Sequence, residues 1–337
     1  MRLFRIGSIS LGGLAFMVGC GASEEKFPEQ DFEKLNGVIQ EMIYHGERMA
    51  TDIDTIAHYY EEIVSKKDSV LRVAPPSPYH FVGAISTNLP GQDSTLSSVI
   101  ILNSTPDRKM AEEEVVLTNS LDSLFAEFIK GNPRTAQIYS NSAMQVSRVF
   151  PAYDVKNIID TDIDVTKFNF YYKADLEHNP SKGLVWIPEP YVDPAGKGWI
   201  ISLIHPIYDG DQLFAVLGVD FTVSDLVQNY MDAVEGEILM VNAKGEIVAG
   251  KAGAIESLSM PPLKNHVYRE TIHSDYFRIS DFNLFSSKSR EVREMAQQFL
   301  LEKKDRFEFD EETNLSRAIC VPFIGIDWFL IQVFPNY

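Results

Sequence analysis

Cysteine is nearly absent: the 337-residue chain has two, Cys20 and Cys320. Two cysteines exclude a disulfide-built scaffold, so stability has to come from an apolar core. Cys320 sits in the apolar run Ala318-Ile319-Cys320-Val321 and is expected to be a buried, inert thiol rather than a nucleophile. The seven histidines (His45, His58, His80, His178, His205, His266 and His273) are scattered. Without His-Glu-x-x-His or a Cys/His cluster, no metal site is expected. Gly-x-Ser-x-Gly and a phosphate loop are also missing. Basic residues are scarce, with Lys+Arg 30 against Asp+Glu 48 and a net charge of −18. That balance excludes nucleic acid, whose phosphates need basic patches, and electrostatic docking on anionic lipid. Paired carboxylates are abundant at this charge and do not by themselves indicate a glycosidase. Asp160, Asp162 and Asp164 alternate but lack the Gly and distal Glu of a calcium loop, so a solvated acidic loop is expected there. No enzyme and no cofactor are expected.

What is present begins at the N-terminus. Arg2 and Arg5 precede an apolar stretch over residues 6–18. It is shorter than the about 20 residues a spanning helix needs and has the length of a signal-peptide core. It ends in Met17-Val18-Gly19-Cys20, which resembles the lipobox of bacterial lipoproteins, with Met17 in place of the usual Leu. The resemblance implies cleavage after residue 19, lipidation of Cys20, and a short polar tether over residues 20–30. Membrane attachment would then come from the acyl chains. The expected location is exported and lipid-anchored, facing the periplasm or the cell surface.

Residues 31–65 carry apolar side chains at spacings of three and four, including Leu35, Val38, Ile39, Met42, Ile53, Ile56, Tyr60 and Ile63, which predicts one long amphipathic helix. At 1.5 Å per residue it would span roughly 50 Å, enough to run alongside two modules. Residues 79–86 and 97–102 read as strands separated by a turn-rich segment, and 111–130 as a second helix with Gly131 at its C-cap. A β-rich stretch follows. Strands are expected at 135–139 and 146–150, with Asn141-Ser142 as the turn. Two more, at 199–204 and 213–221, flank Asp209-Gly210-Asp211, a hairpin signal. Residues 224–232 read as a short helix. The pattern then recurs in reduced form, with strands flanking Asn242-Ala243-Lys244-Gly245, a helix over 289–303, and closing strands at 316–322 and 328–334. The fold class is α+β, a long N-terminal helix followed by two sheet modules in series.

Four ordered segments make the chain similar to the double-Cache (dCache) family of bacterial extracytoplasmic sensor domains. They are Ala136-Gln137-Ile138-Tyr139 with Phe150-Pro151-Ala152-Tyr153-Asp154; Tyr171-Tyr172-Lys173-Ala174 with Trp186-Ile187-Pro188-Glu189-Pro190-Tyr191-Val192-Asp193; Ile201-Ser202-Leu203-Ile204-His205-Pro206 running into Gly218-Val219-Asp220-Phe221; and Val241-Asn242-Ala243-Lys244-Gly245 with Val321-Pro322-Phe323-Ile324-Gly325-Ile326-Asp327-Trp328. The resemblance covers roughly residues 31–337 and implies two stacked PAS-like, Cache mixed-sheet modules. The membrane-distal module, which binds ligand in this family, would comprise 31–229 with the long helix, and the membrane-proximal module 230–337. Residues 66–110 depart from the family's short link and read as an insertion. The chain ends at Tyr337 directly after the last strand, so a sensing role would require a separate signalling or transport partner.

In amino-acid-binding members an Arg two residues before a Trp-Tyr pair grips the ligand carboxylate. Aligning Tyr171-Tyr172 on that pair puts Asn169 at the Arg position, and a register one earlier puts Phe168 there. Neither is a cation, so the carboxylate clamp is expected to be missing. Asp220 matches the family's ammonium-binding Asp, and Tyr191 and Asp193 match its Pro-Tyr-x-Asp loop. The expected site is therefore Asp193 and Asp220 framed by Tyr139, Tyr171, Tyr172, Trp186 and Tyr191. Carboxylates and aromatic faces together suit a small amine or other cationic metabolite. The alternative is a structural or adaptor lipoprotein with a vestigial pocket.

Overall fold

A computed structural model describes residues 26–86, 88, 91–259, 282–310, 313–323 and 325–336. The expected signal peptide, Cys20 and most of the expected tether lie outside the described residues. The long helix is present as α1 (Glu29–Ser65) and begins inside the stretch expected to be tether. Glu29 and Asp31 in its first turn suit the positive end of the helix dipole. One face is buried along its length, from Leu35 and Val38 through Ile53 to Tyr60 and Ile63. A helix of this length is held by such a stripe, since each fully buried Leu or Ile contributes roughly 1.5–3 kcal/mol. Near its start Arg317 donates from Nη2 to Asp31 at 2.9 Å, against the second sheet. Near its end the Tyr60 hydroxyl lies 3.0 Å from Ser140 Oγ, against the first. One apolar cluster joins α1 to both sheets. No described helix is long and apolar enough to cross a membrane.

The first sheet has eight antiparallel strands in the order β1-β2-β3-β5-β4-β8-β7-β6. These are β1 (Phe81–Val82), β2 (Ile85–Ser86), β3 (Ser98–Ile101), β4 (Gln137–Ser142), β5 (Val146–Phe150), β6 (Val185–Val192), β7 (Trp199–Asp209) and β8 (Gln212–Thr222). The insertion over 66–110 contributes α2 (Lys67–Val73) and β1 to β3, which extend the sheet beyond β5. The stretch expected as a strand from residue 79 is only a two-plus-two hairpin, and Tyr79 stands outside it. Strand β4 runs through Asn141 and Ser142, which were expected to turn; the reversal falls at Ala143–Gln145, where Gln145 adopts φ 64°.

The helix expected over 111–130 is two, α3 (Arg108–Leu117) and α4 (Leu121–Gly131), with Asn132 rather than Gly131 at the C-cap. The break is explained by Arg148 on β5, which is 1% exposed. Its guanidinium donates to Asp122 Oδ1 at 2.6 Å, the Val115 carbonyl at 3.1 Å, Thr118 Oγ1 at 3.2 Å and Asn119 Oδ1 at 3.3 Å. A continuous helix would not present those acceptors together. Tyr79 and Ser97 of the insertion donate to the same carboxylate at 2.7 and 2.6 Å. Removing one partner of a buried, hydrogen-bonded pair of this kind costs about 3–5 kcal/mol.

The second sheet has five antiparallel strands in the order β10-β9-β13-β12-β11: β9 (Glu237–Asn242), β10 (Ile247–Gly250), β11 (Arg306–Glu308), β12 (Leu315–Phe323) and β13 (Trp328–Pro335). It is joined to the first by α7 (Val223–Leu226) and a wider turn through Met231. Short helices α5 (Val155–Ile158) and α6 (Asn169–Tyr172) cover the first sheet. On the second sheet, α8 (Ala252–Ser257) and α9 (Arg290–Ala296) bury the face away from α1. Cys320 lies in that core, 3% exposed, with burial pushing its thiol up to about 12.

Glu114 on α3 is buried, and one of its carboxylate oxygens has no partner among the described residues. Burial pushes its pKa from 4.5 to about 8; Ser142 and Arg148 offset this only in part. The folded state therefore binds this proton more tightly than the unfolded chain. The stabilisation is complete below 4.5 and is lost as pH rises through the window to about 8. Urea unfolding is expected to give a stability that declines across that window, and Glu114→Gln is expected to flatten the decline. An unchanged slope in the variant would assign it to another group.

Candidate functional site

Strand alternation sorts the first sheet into two faces. Ile138, Arg148, Leu203 and Val219 face the helices, and Gln137, Tyr139, Val149, Ser202 and Asp220 face the other way. One row crosses the sheet on this second face: Gln137 stands opposite Asp220, Asp220 opposite Ser202, and Ser202 opposite Ile187. The row lies in apolar surroundings, yet carries a carboxylate at its centre.

That carboxylate is 1% exposed, and Asp193, from the loop after β6, is 4% exposed beside it. Gln137 bridges them, its Nε2 donating to Asp220 Oδ2 at 2.6 Å and to Asp193 Oδ2 at 3.2 Å. Ser202 Oγ donates to Asp220 Oδ1 at 2.5 Å. Because Ser202 has a single O–H, the Tyr191 hydroxyl 2.6 Å away must be the donor in their contact. The chain of donation thus runs Tyr191 to Ser202 to Asp220. Asp193 also accepts the backbone N–H groups of Ala195 at 2.9 Å and Lys197 at 3.0 Å. Asp193 is therefore pinned by its own turn, while Asp220 is held by neutral side chains.

Burial and the neighbouring Asp193 raise the Asp220 pKa well above the ordinary carboxylate value; Ser202 and Gln137 recover only part. Burial also raises Asp193, against the pull of its backbone donors. Tyr139 and Tyr191 are raised by burial first, which keeps their hydroxyls protonated as donors. Two polar atoms here have no partner among the described residues, Tyr139 Oη and Gln137 Oε1.

Tyr139 lies flat across Gly218, its register partner. A Cβ at Gly218 would come within 2.8 Å of the ring edge, so only glycine admits this approach. Phe170 meets the Tyr139 ring edge-on, with centroids 5.8 Å apart and planes at 72°, and lies 6.2 Å from Tyr191. Together these side chains border a cavity with about 460 Å³ of atom-free space, open solvent at its mouth included. Tyr153, Ile163 and Ala195 close its other sides. No Lys, Arg or His is among the described residues lining it.

The structure thus brings four of the expected residues together: Tyr139, Tyr191, Asp193 and Asp220. Four others depart from the expected arrangement. Trp186 is on the opposite face of β6, over α1, because it lies opposite Leu203 rather than Ser202. Residues 169–172 form a helical turn, and the ring it directs to the cavity is Phe170. Tyr171 is buried in the adjoining cluster, and Tyr172 lies against His178 with centroids 5.4 Å apart. Asn169 Oδ1 accepts the N–H of Phe170 at 2.8 Å, within that turn. Gln137, Ser202 and Phe170 were not among the expected site residues. Ser202 carried a readable signal, a hydroxyl inside the apolar run Ile201-Ser202-Leu203, and Gln137 shares the parity of Tyr139. Asp162 and Asp164 accept from side chains outside their own loop, Asn103 Nδ2 at 2.8 Å and Gln145 Nε2 at 2.7 Å, so the acidic loop expected to be solvated is tied to its neighbours.

No protein-family model matches the chain. Among solved structures it is similar to the ligand-binding domain of the Campylobacter jejuni chemoreceptor Tlp3 in complex with L-valine, at 12% identity and a TM-score of 0.40, over 91% of this chain and 96% of that one. It is similar to the ligand-binding domain of the Pseudomonas fluorescens chemoreceptor CtaA in complex with L-alanine, at 16% identity and a TM-score of 0.43, over 68% of this chain and 85% of that one. It is also similar to the ligand-binding domain of the Pseudomonas aeruginosa PAO1 amino acid chemoreceptor PctB in complex with L-Gln, at 16% identity and a TM-score of 0.41, over 64% of this chain and 74% of that one.

Proposed function

We propose that the chain is an exported, lipid-anchored double-Cache sensor, without catalytic activity, that binds a small amine or other cationic metabolite in its first sheet module. The binding event would pass to a separate partner protein. One observation carries the proposal: two buried carboxylates face an aromatic-walled cavity whose described lining offers no basic side chain. A buried carboxylate left without a cation is unfavourable, and an ammonium group relieves it through charge-assisted hydrogen bonds. Gln137 Oε1 is an acceptor without a partner among the described residues and is placed to take a further N–H. Phe170, Tyr139 and Tyr191 supply ring faces for the carbon skeleton. A ligand carboxylate would find hydroxyl and amide donors but no cation among the described lining residues, which favours amines over amino acids.

Calorimetry with a panel of small amines, their amino-acid counterparts and neutral isosteres tests this. Amines are expected to bind, and Asp220→Asn is expected to weaken them by at least about tenfold, from a charge-assisted bond worth about 1.5–3 kcal/mol. The same substitution removes a carboxylate that burial opposes, so the melting temperature is expected to hold or rise. Because the Asp220 pKa is raised, amine binding needs a proton to leave, and affinity is expected to fall as pH is lowered below neutrality. Tight binding of carboxylates alone, or a pH trend of the opposite sign, would refute the cation reading.

Anchoring is tested separately. Expressed in a bacterial host, the chain is expected to partition with membranes and to carry a lipid mass on its N-terminal peptide. Cys20→Ala is expected to abolish both. Lipid retained in that variant would move the attachment elsewhere.

A further inference from the structure

A second cavity lies on the opposite face of the same strands, where α1, the first sheet and the second sheet meet. It has about 370 Å³ of atom-free space including its mouth. Met49 borders it from α1, Trp186 and Phe221 from the first sheet, Tyr230 from the connecting turn, and Phe323 and Trp328 from the second sheet. No charged side chain is among the described residues lining it. Among its rings, Trp186 and Phe221 are 5.9 Å apart at 36°, and Phe323 and Trp328 are 6.0 Å apart at 73°. Two polar groups belong to the wall residues. The Tyr230 hydroxyl lies 3.2 Å from His45 Nδ1. The Trp328 indole N–H has no acceptor among the described residues, although the residue is only 2% exposed.

α1 also carries Gly46 here, inside a helix where glycine is destabilising by about 1 kcal/mol relative to alanine. A Cβ at Gly46 would meet Trp186 Cζ2 at 3.7 Å, an ordinary contact. Alanine would therefore fit, and the space beyond it is what a longer side chain would fill.

We propose that this junction cavity is a second ligand site, for a small neutral aromatic molecule carrying one hydrogen-bond acceptor. The charge-free wall excludes ions, which would be left unpaired. The rings and the thioether of Met49 favour a flat, polarisable ligand. The indole N–H calls for one acceptor, because a buried donor without a partner is destabilising.

The purified protein is titrated with acetophenone and with ethylbenzene, which has similar size and no acceptor. Calorimetry and intrinsic fluorescence report binding, since two of the three tryptophans line the cavity. Acetophenone is expected to bind saturably and about two- to tenfold more tightly than ethylbenzene, the worth of one neutral hydrogen bond. Trp328→Phe is expected to erase that difference and leave ethylbenzene unchanged. Gly46→Leu is expected to abolish both, Gly46→Ala to keep both, and Asp220→Asn to leave both unaffected. Equal affinity of the two probes for the native protein, no saturable binding, or binding that survives Gly46→Leu would overturn the proposal. The comparison of the two probes stands even if Trp328→Phe fails to fold.

Discussion

The Asp193–Asp220 pair imposes the central constraint, two carboxylates buried in an apolar sheet with no basic side chain among the described residues lining their cavity, although the Lys197 ammonium exerts some pull on both. Left alone, such a pair would favour one shared proton over two charges. The surrounding residues limit the penalty without cancelling it. Gln137 spans both carboxylates, Ser202 and Tyr191 form a directed relay to Asp220, and backbone N–H groups fix Asp193. Gly218 is what lets Tyr139 lie close enough to roof the site. Each of these is a neutral group, so none of them cancels the charge of the pair.

The other face of the same sheet shows that this demand is not a general habit of the fold. There, Asp122 is equally buried but has Arg148 at 2.6 Å, together with Tyr79 and Ser97. That carboxylate is neutralised from within the chain, and it anchors α3, α4 and the insertion to β5. Two buried aspartates on opposite faces therefore have opposite characters. One is complete and structural, and the other is held ready by neutral donors. The contrast carries more weight than the burial of either residue alone.

Long periodic features were legible from the residues. The three-and-four spacing of α1, the hairpin at Asp209-Gly210-Asp211 and the closing strand pair are all present. Asp220 was legible for the same reason it is unusual, a carboxylate within an apolar strand. The helix break near Thr118 was not, because its cause is Arg148, distant in sequence and buried only once the sheet forms. Trp186 was misplaced because its face is fixed by its partner Leu203, while the register shift between Ile187 and Tyr191 breaks the simple alternation that sequence spacing could have read. The segment at 169–172 failed differently. Its tyrosines were expected to frame the site, but a single helical turn sends the neighbouring phenylalanine inward instead.

Strand alternation also explains why one sheet can serve two cavities. Ile187, Ser202 and Asp220 border or support the first, while their chain neighbours Trp186, Ile201 and Phe221 border the second. A side chain cannot move on one face without the backbone it shares with the other. The second cavity is also where the two sheets and α1 meet, with Phe323 and Trp328 on one side and Trp186 and Phe221 on the other. Parity alone therefore places the Asp220 cavity and the joint between the sheets on two faces of the same three strands.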